Sequence, residues 1–292
     1  MKRRRIILFG ALLVLAAGVV ALWPRGPKEP VYQGEPLLKW LSESYYCYDG
    51  SAQMKRDAAT SAVKASGTNA LPFLLSSFEG RRSDPKIKIN RLLSKLRINA
   101  FRFVEETDPL PAAAYGVQLL GPDAAPALPI LARHLENYAG EDSAGAWAGS
   151  AMVAIGEPAL PYLRNVLASS NVTARSYGIH ILGSLARSTV NVFPSVLSML
   201  QDPNPQIRGA AAKALRGALF KQELAASALT PVLSDTNVEV QEAAVYSVGT
   251  LKSAAKCAVP QLLLLTRGTN TGVACLASNA LFHIDPAALP QK

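Results

Sequence analysis

Residues 202–217 read DPNPQIRGAAAKALRG. The opening Asp202-Pro203-Asn204-Pro205 breaks the chain, because two prolines remove backbone donors while Asp and Asn offer oxygens that cap a following helix. Beyond it, Ile207, Ala210, Ala211, Ala214 and Leu215 fall at i, i+3, i+4, i+7 and i+8, a single helical face that runs to Gly217. A second apolar stripe from about Leu224 to Leu233 predicts another helix before Asp235 restarts the signal. One turn and two helices make one unit.

The unit repeats. Asn171, Asn204, Asn237 and Asn270 are evenly spaced along the chain, and Leu163, Val196, Leu229 and Leu262 keep the same interval. So do Arg175, Arg208 and Gln241, and Ser169, Asp202 and Asp235. Pro161 and Pro194 recur with them, Ser227 fills the third slot and Pro260 the fourth. Proline near a helix start is tolerated because the first N–H groups have no intrahelical partner. A fixed period of this length is the signature of a stacked repeat, in which each unit buries its apolar face only against its neighbours. Sustained strand alternation is absent, so the chain reads as all-α.

The pattern of a Pro/Asp/Asn turn, a V/I-R-x-x-A-A-x-A-L-G helix and a P-x-L helix resembles HEAT repeats, closest to the short bacterial HEAT-like type. The resemblance is clearest over residues 156–290. Gly67-Thr68-Asn69-Ala70-Leu71-Pro72 and Gly121-Pro122-Asp123-Ala124-Ala125-Pro126 look like the same inter-helix turn. The stretch from Pro72 to Pro126 is longer than one period and holds one repeat plus an insertion. The resemblance implies a HEAT-like α-solenoid of about six to seven helix pairs over residues 58–292. Ahead of it, residues 31–57 open with VYQGEPLLKWL, which resembles the Y-x-G-x-P-L-x-x-W-L start of exported bacterial HEAT-repeat proteins. Tyr32, Gly34, Pro36 and Trp40 are therefore expected to build a helical cap over the first repeat's open end, with Leu37, Trp40 and Leu41 on one face.

Residues 1–23 are of another kind. Lys2, Arg3, Arg4 and Arg5 precede an uncharged run from Ile6 to Trp23. As a helix that run reaches about 27 Å at about 1.5 Å per residue, close to the hydrocarbon thickness. Four cations ahead of the run orient it with the body outward. The expectation is a single-pass inner-membrane anchor with the body in the periplasm. The alternative is a signal peptide cut near Val19-Val20-Ala21 that leaves a periplasmic or secreted protein. Residues 24–30, with three prolines, form a stiff linker.

Composition closes off several classes. At 49% hydrophobic residues the chain buries a sizeable core, which excludes wholesale disorder. Three cysteines, none in C-x-x-C, make neither a disulfide framework nor a zinc ribbon. Cys257 and Cys275 are expected to be small buried residues that could pair in an oxidising compartment, and Cys47 to pack into the cap. The formal charge is +9, but without the four leading cations 26 basic residues face 21 acidic ones. Much of the basic balance is thus a topology signal, and no nucleic-acid partner is expected.

No G-x-S-x-G, phosphate-cradling loop or clustered metal ligands occur, and His134, His180 and His283 fall in distant repeats. His180, inside SYGIHILG, reads as a core or groove-edge histidine. No catalytic residue, cofactor or metal is expected. Between Arg81 and Arg102, eight cations face Asp84 alone. On a helix over residues 86–104, Lys88, Arg91, Lys95 and Arg102 share one side and Ile89, Leu92, Leu93, Leu96, Ala100 and Phe103 the other. The four cations are candidate partner-binding residues for an acidic protein surface or anionic lipid. The expected function is a non-catalytic interaction scaffold of the cell envelope that binds a protein through the solenoid surface. The alternatives are a membrane-surface adaptor working through the basic helix and, disfavoured, a HEAT-like enzyme of the lyase or glycosylase type.

Overall fold

The computed structural model describes residues 27–79, 109–138, 144–187, 189–217 and 221–289. Residues 1–23, and with them the expected anchor, lie outside the described residues, as do Lys88, Arg91, Lys95 and Arg102. Among the described residues no helix is long and apolar enough to cross a membrane.

Among the described residues the chain is an all-α solenoid, with one small exception near residue 31. Strands β1 (Val31–Tyr32) and β2 (Glu35–Pro36) pair antiparallel through a two-residue turn. Gln33 (φ 50°) and Gly34 (φ 82°) both take positive φ, the requirement of a I′-type hairpin turn, and glycine meets it without steric cost. Sequence alternation does not reveal so short a pair, because two residues per strand carry no period.

The helices follow as α1 (Leu37–Tyr45), α2 (Ala52–Ser66), α3 (Leu71–Glu79), α4 (Pro109–Leu120), α5 (Leu128–Tyr138), α6 (Ala144–Ile155) and α7 (Leu160–Leu167). The series continues with α8 (Val172–Leu185), α9 (Phe193–Met199), α10 (Pro205–Leu215), α11 (Gln222–Leu229), α12 (Val238–Thr250), α13 (Val259–Leu265) and α14 (Thr271–Ile284). They form two layers. Helices α4, α6, α8, α10, α12 and α14 stack side by side in one, with α1 against α4 at the N-terminal end. Helices α3, α5, α7, α9, α11 and α13 make the other, each packed on its partner in the first. The second stripe of the repeat, expected as one helix to Leu233, stops at Leu229, because Pro231 cannot donate and the chain continues as a 3-10 turn over Pro231–Ser234.

The recurring columns have distinct physical jobs. Leu163, Val196, Leu229 and Leu262 are fully buried between the layers, each contributing about 1.5–3 kcal/mol of apolar burial. Asn171, Asn204, Asn237 and Asn270 are the N-caps of α8, α10, α12 and α14, their side-chain oxygens accepting from backbone N–H groups of the first turn. Asn204→Ala is therefore expected to lower stability by about 1 kcal/mol, with Asn204→Asp restoring most of it. Thermal unfolding followed by circular dichroism reads this, and an unchanged Tm would show that the cap contributes nothing.

First-layer helices are buried on more than the single face that the sequence predicts. In α10, Gly209 and Ala212 join Ile207, Ala211 and Leu215 in the core, since α8 and α12 flank it on both sides. Small residues permit that approach. A Cβ on Gly183 would stand 3.0 Å from the Ala214 Cβ and 3.2 Å from its Cα, and one on Gly249 would stand 3.1 Å and 3.2 Å from the same atoms of Ala280. Second-layer helices from α7 onward contact each other sparsely. A stack close-packed in one layer and open in the other curves toward the close-packed side, so the outer surface of the first layer is concave.

Candidate partner-binding surface

The concave face is held in register by a ladder of ion pairs. The Arg175 guanidinium donates to both carboxylate oxygens of Asp202 at 3.1 and 3.2 Å and to the Ser169 carbonyl at 2.9 Å. One repeat on, Arg208 donates to both oxygens of Asp235 at 2.7 and 2.9 Å and to the Asp202 carbonyl at 3.0 Å. Asp202 and Asp235 also accept from the backbone N–H of Asn204 and Asn237, at 2.8 and 2.9 Å. Each fork ties the start of one first-layer helix to the turn before the next. The bond to Asp235 holds the Arg208 guanidinium protonated, and that same bond keeps the Asp235 carboxyl below the usual carboxylate range. In the next repeat Gln241 stands in the arginine's place and donates to the Leu233 carbonyl at 2.8 Å.

With the register fixed, one position of each of the last four first-layer helices projects from the concave face. His180, Lys213, Tyr246 and Asn279 are exposed and recur once per repeat on α8, α10, α12 and α14. Trp147 precedes them by the same interval on α6 and is half-buried in an aromatic cluster, with Tyr45 5.4 Å away edge-on and Tyr115 packed on Tyr45 at 6.2 Å. The Arg216 guanidinium sits 5.3 Å from the Tyr246 ring centroid, a cation–π contact that orients both side chains outward. Between α6 and α8 lies a groove of about 490 Å³ lined by Ala146, Gly149, Ser150, Val153, Tyr177 and His180. Its floor is low because glycine, alanine and serine occupy the α6 side.

Tyr32, Gly34, Pro36 and Trp40, the residues expected in the cap, come together at the N-terminal hairpin. The Trp40 Nε1–H donates to the Tyr32 carbonyl at 3.2 Å, and the two rings meet edge-on at 6.0 Å. The Leu38 N–H donates to Glu29 Oε1 at 2.8 Å, which caps the start of α1. Asn171, Asn204, Asn237 and Asn270 line the helix starts beside Arg175 and Arg208, apart from the hairpin. His180 stands at the groove edge, whereas His134 is buried with its Nδ1 2.9 Å from the Phe78 carbonyl oxygen. The expectation of two buried cysteines is corrected: Cys257 and Cys275 are free and exposed, while Cys47 is buried. Cys275 shares its repeat position with the buried Gly209 and the half-buried Ser176 and Glu242, and it is exposed because α14, the last first-layer helix among the described residues, has a first-layer neighbour on one side only.

Two features of this face leave little trace in the sequence. The Arg–Asp partnership joins columns 27 residues apart, across the repeat boundary. The outward column carries a different residue type in every repeat, so only its spacing marks it.

Residues 160–249 and 193–277, from α7 into α14, match the family described as HEAT repeats. No curated protein matches the chain. Among solved structures it is similar to an engineered protein at 16% identity, covering 86% of this chain and 68% of that one with a TM-score of 0.38. A designed armadillo repeat protein in complex with the peptide (KR)4 shares 14% identity over 85% of this chain and 99% of its own, with a TM-score of 0.36. A Kap121p mutant shares 13% identity over 85% of this chain and 35% of its own, with a TM-score of 0.38.

Proposed function

We propose that this chain is a non-catalytic interaction scaffold that holds a protein partner on the concave face of its solenoid. The observation that carries the reading is the outward column of His180, Lys213, Tyr246 and Asn279, presented by successive helices at one repeat interval. A row of unlike, exposed side chains on a rigid backbone reads an extended surface and performs no shared chemistry. Aromatic and arginine side chains such as Tyr246 and Arg216 suit an interface hot spot. A place in the cell envelope, as an anchored or an exported body, is part of the proposal, supported by the four cations and apolar run of residues 2–23.

The experiment is site-specific photo-crosslinking in cells. A photoreactive amino acid replaces Lys213 or Tyr246 on the concave face, or Leu224 or Leu264, which are exposed on second-layer helices α11 and α13. The expected result is a discrete protein adduct from positions 213 and 246 and none above background from 224 and 264. Adducts from the second-layer positions alone would overturn the assignment of the face.

A further inference from the structure

Five cations of this region divide into two sets. Arg175 and Arg208 are engaged by Asp202 and Asp235. Arg187, Lys213 and Arg216 are exposed, and none of the three is paired with a carboxylate among the described residues. They are neighbours. A Cβ on Gly217 would stand 3.8 Å from Arg187 Cγ, so the Arg187 stem lies across the end of α10 next to Arg216, with Lys213 one turn earlier. Arg216 is further fixed over the Tyr246 ring.

Among the described residues the first-layer helices carry only two carboxylates, Glu239 and Glu242, and Glu157 and Glu223, in the segments that follow α6 and α10, form no salt bridge with the three cations. Glu239 and Glu242 stand in the first two turns of α12, whereas Tyr246 and the cations lie toward the other ends of their helices. A Cβ on Gly272 would be 3.6 Å from Glu242 Oε1, so that carboxylate leans toward α14 and away from α10. On the N-terminal side, the groove between α6 and α8 has no charged lining residue. Its α8 wall, His180 and Ser184, continues along the same helical stripe to Arg187. An uncharged groove thus leads along α8 to Arg187, with Lys213 and Arg216 one helix further on, and none of the three is salt-bridged among the described residues.

From this arrangement, and resting on the scaffold reading above, we infer that the partner presents an extended acidic segment. One apolar side chain enters the α6–α8 groove, and carboxylates a few residues further on meet Arg187, Lys213 and Arg216. The distance suits an extended chain: one and a half helix spacings of about 8–10 Å each, from the groove to α10, equal the reach of about four residues at about 3.3 Å. Arginine favours carboxylates because its planar fork binds both oxygens at once.

The probe is a fluorescein-labelled octapeptide with one leucine followed, two residues later, by four glutamates, titrated against the full chain by fluorescence anisotropy. A second peptide carries glutamine in place of every glutamate, and vesicles of phosphatidylglycerol form a third arm. The glutamate peptide is expected to bind at least about tenfold more tightly than the glutamine one and to weaken between about 50 and 300 mM salt. The triple variant Arg187→Glu, Lys213→Glu, Arg216→Glu is expected to lose that preference while keeping its Tm, because all three side chains are exposed. Ala146→Trp, which fills the groove and leaves the cations in place, should weaken both peptides alike. Equal affinity for the two peptides overturns the inference on the unmodified chain alone, whatever the variants do. So does vesicle binding that depends on the three cations without any peptide binding. If crosslinks at positions 213 and 246 persist while the glutamate peptide fails, only the acidic assignment falls and the scaffold reading stands.

Discussion

Asp235→Ala is expected to lower the stability of the chain by about 2–4 kcal/mol. The substitution removes the partner of Arg208, whose guanidinium then keeps only backbone carbonyl contacts at Asp202 and Pro203. It also deprives the Asn237 N–H of its acceptor at the start of α12. Side-chain exposures of 17% for Arg208 and 11% for Asp235 place the pair near the interior, with enough residual water to hold the cost below that of a full burial. A stability of about 5–15 kcal/mol for an ordinary domain makes this a large fraction. Urea unfolding measures it, and Arg208→Met combined with Asp235→Leu should recover part of the loss by leaving neither charge unpaired. Acid adds an independent check. The Asp235 carboxyl is depressed in the folded state, so its stabilisation is complete above the unfolded value of about 3.9 and is lost as pH falls below it toward the folded value. Asp235→Asn should therefore flatten the fall in Tm below about pH 4, and an unchanged acid profile would contradict the pairing.

Gly183→Leu is expected to cost about 3 kcal/mol or more and to loosen the stack between α8 and α10. The Cβ alone would meet the Ala214 Cβ at 3.0 Å and Cα at 3.2 Å, and backbone cannot rotate away as a side chain can. The remaining carbons have no room unless the two helices separate, which would also disturb the Gly217 approach to the Gly183 carbonyl oxygen. Gly183→Ala should be milder, because alanine's helix propensity, about 1 kcal/mol better than glycine's, offsets part of the clash. Urea unfolding of both variants, with the slope compared as well as the midpoint, distinguishes local overpacking from a split of the solenoid into two unfolding units. A Gly183→Leu chain within about 0.5 kcal/mol of the original would show that the two helices are not in backbone contact.

The solenoid was legible because its columns recur as single residue types with one physical task. Asparagine caps helices in four successive repeats, and leucine or valine fills the space between layers in the same four. Packing on both flanks of a first-layer helix was not legible, since a helical stripe tests for one apolar face and alanine suits either flank. This is why Gly209 and Ala212 are buried without having been expected there. The ladder was half legible: the Arg and Asp columns were visible, but a one-dimensional period does not say which members meet across a repeat boundary. The concave column stayed hidden for the opposite reason. His180, Lys213, Tyr246 and Asn279 share a position and no chemistry, so residue type gives no signal there. Cys257 and Cys275 read as buried because a small apolar side chain suits a core, whereas Cys257 lies in the 3-10 segment Lys252–Ala258 and Cys275 on α14, which no further first-layer helix covers among the described residues.

Successive repeats set one outward position in an ordered row along one face, and every functional inference above depends on that row. Pulsed electron–electron spin resonance tests it on a chain whose Cys47, Cys257 and Cys275 are replaced by alanine. Spin labels are attached at His180 together with either Tyr246 or Asn279. With helix spacings of about 8–10 Å, the first pair spans two steps and the second three, so the distance between labels should lengthen by about one spacing from 180/246 to 180/279. A second distance equal to or shorter than the first would mean that the helices close into a bundle, and the row on the concave face would not exist.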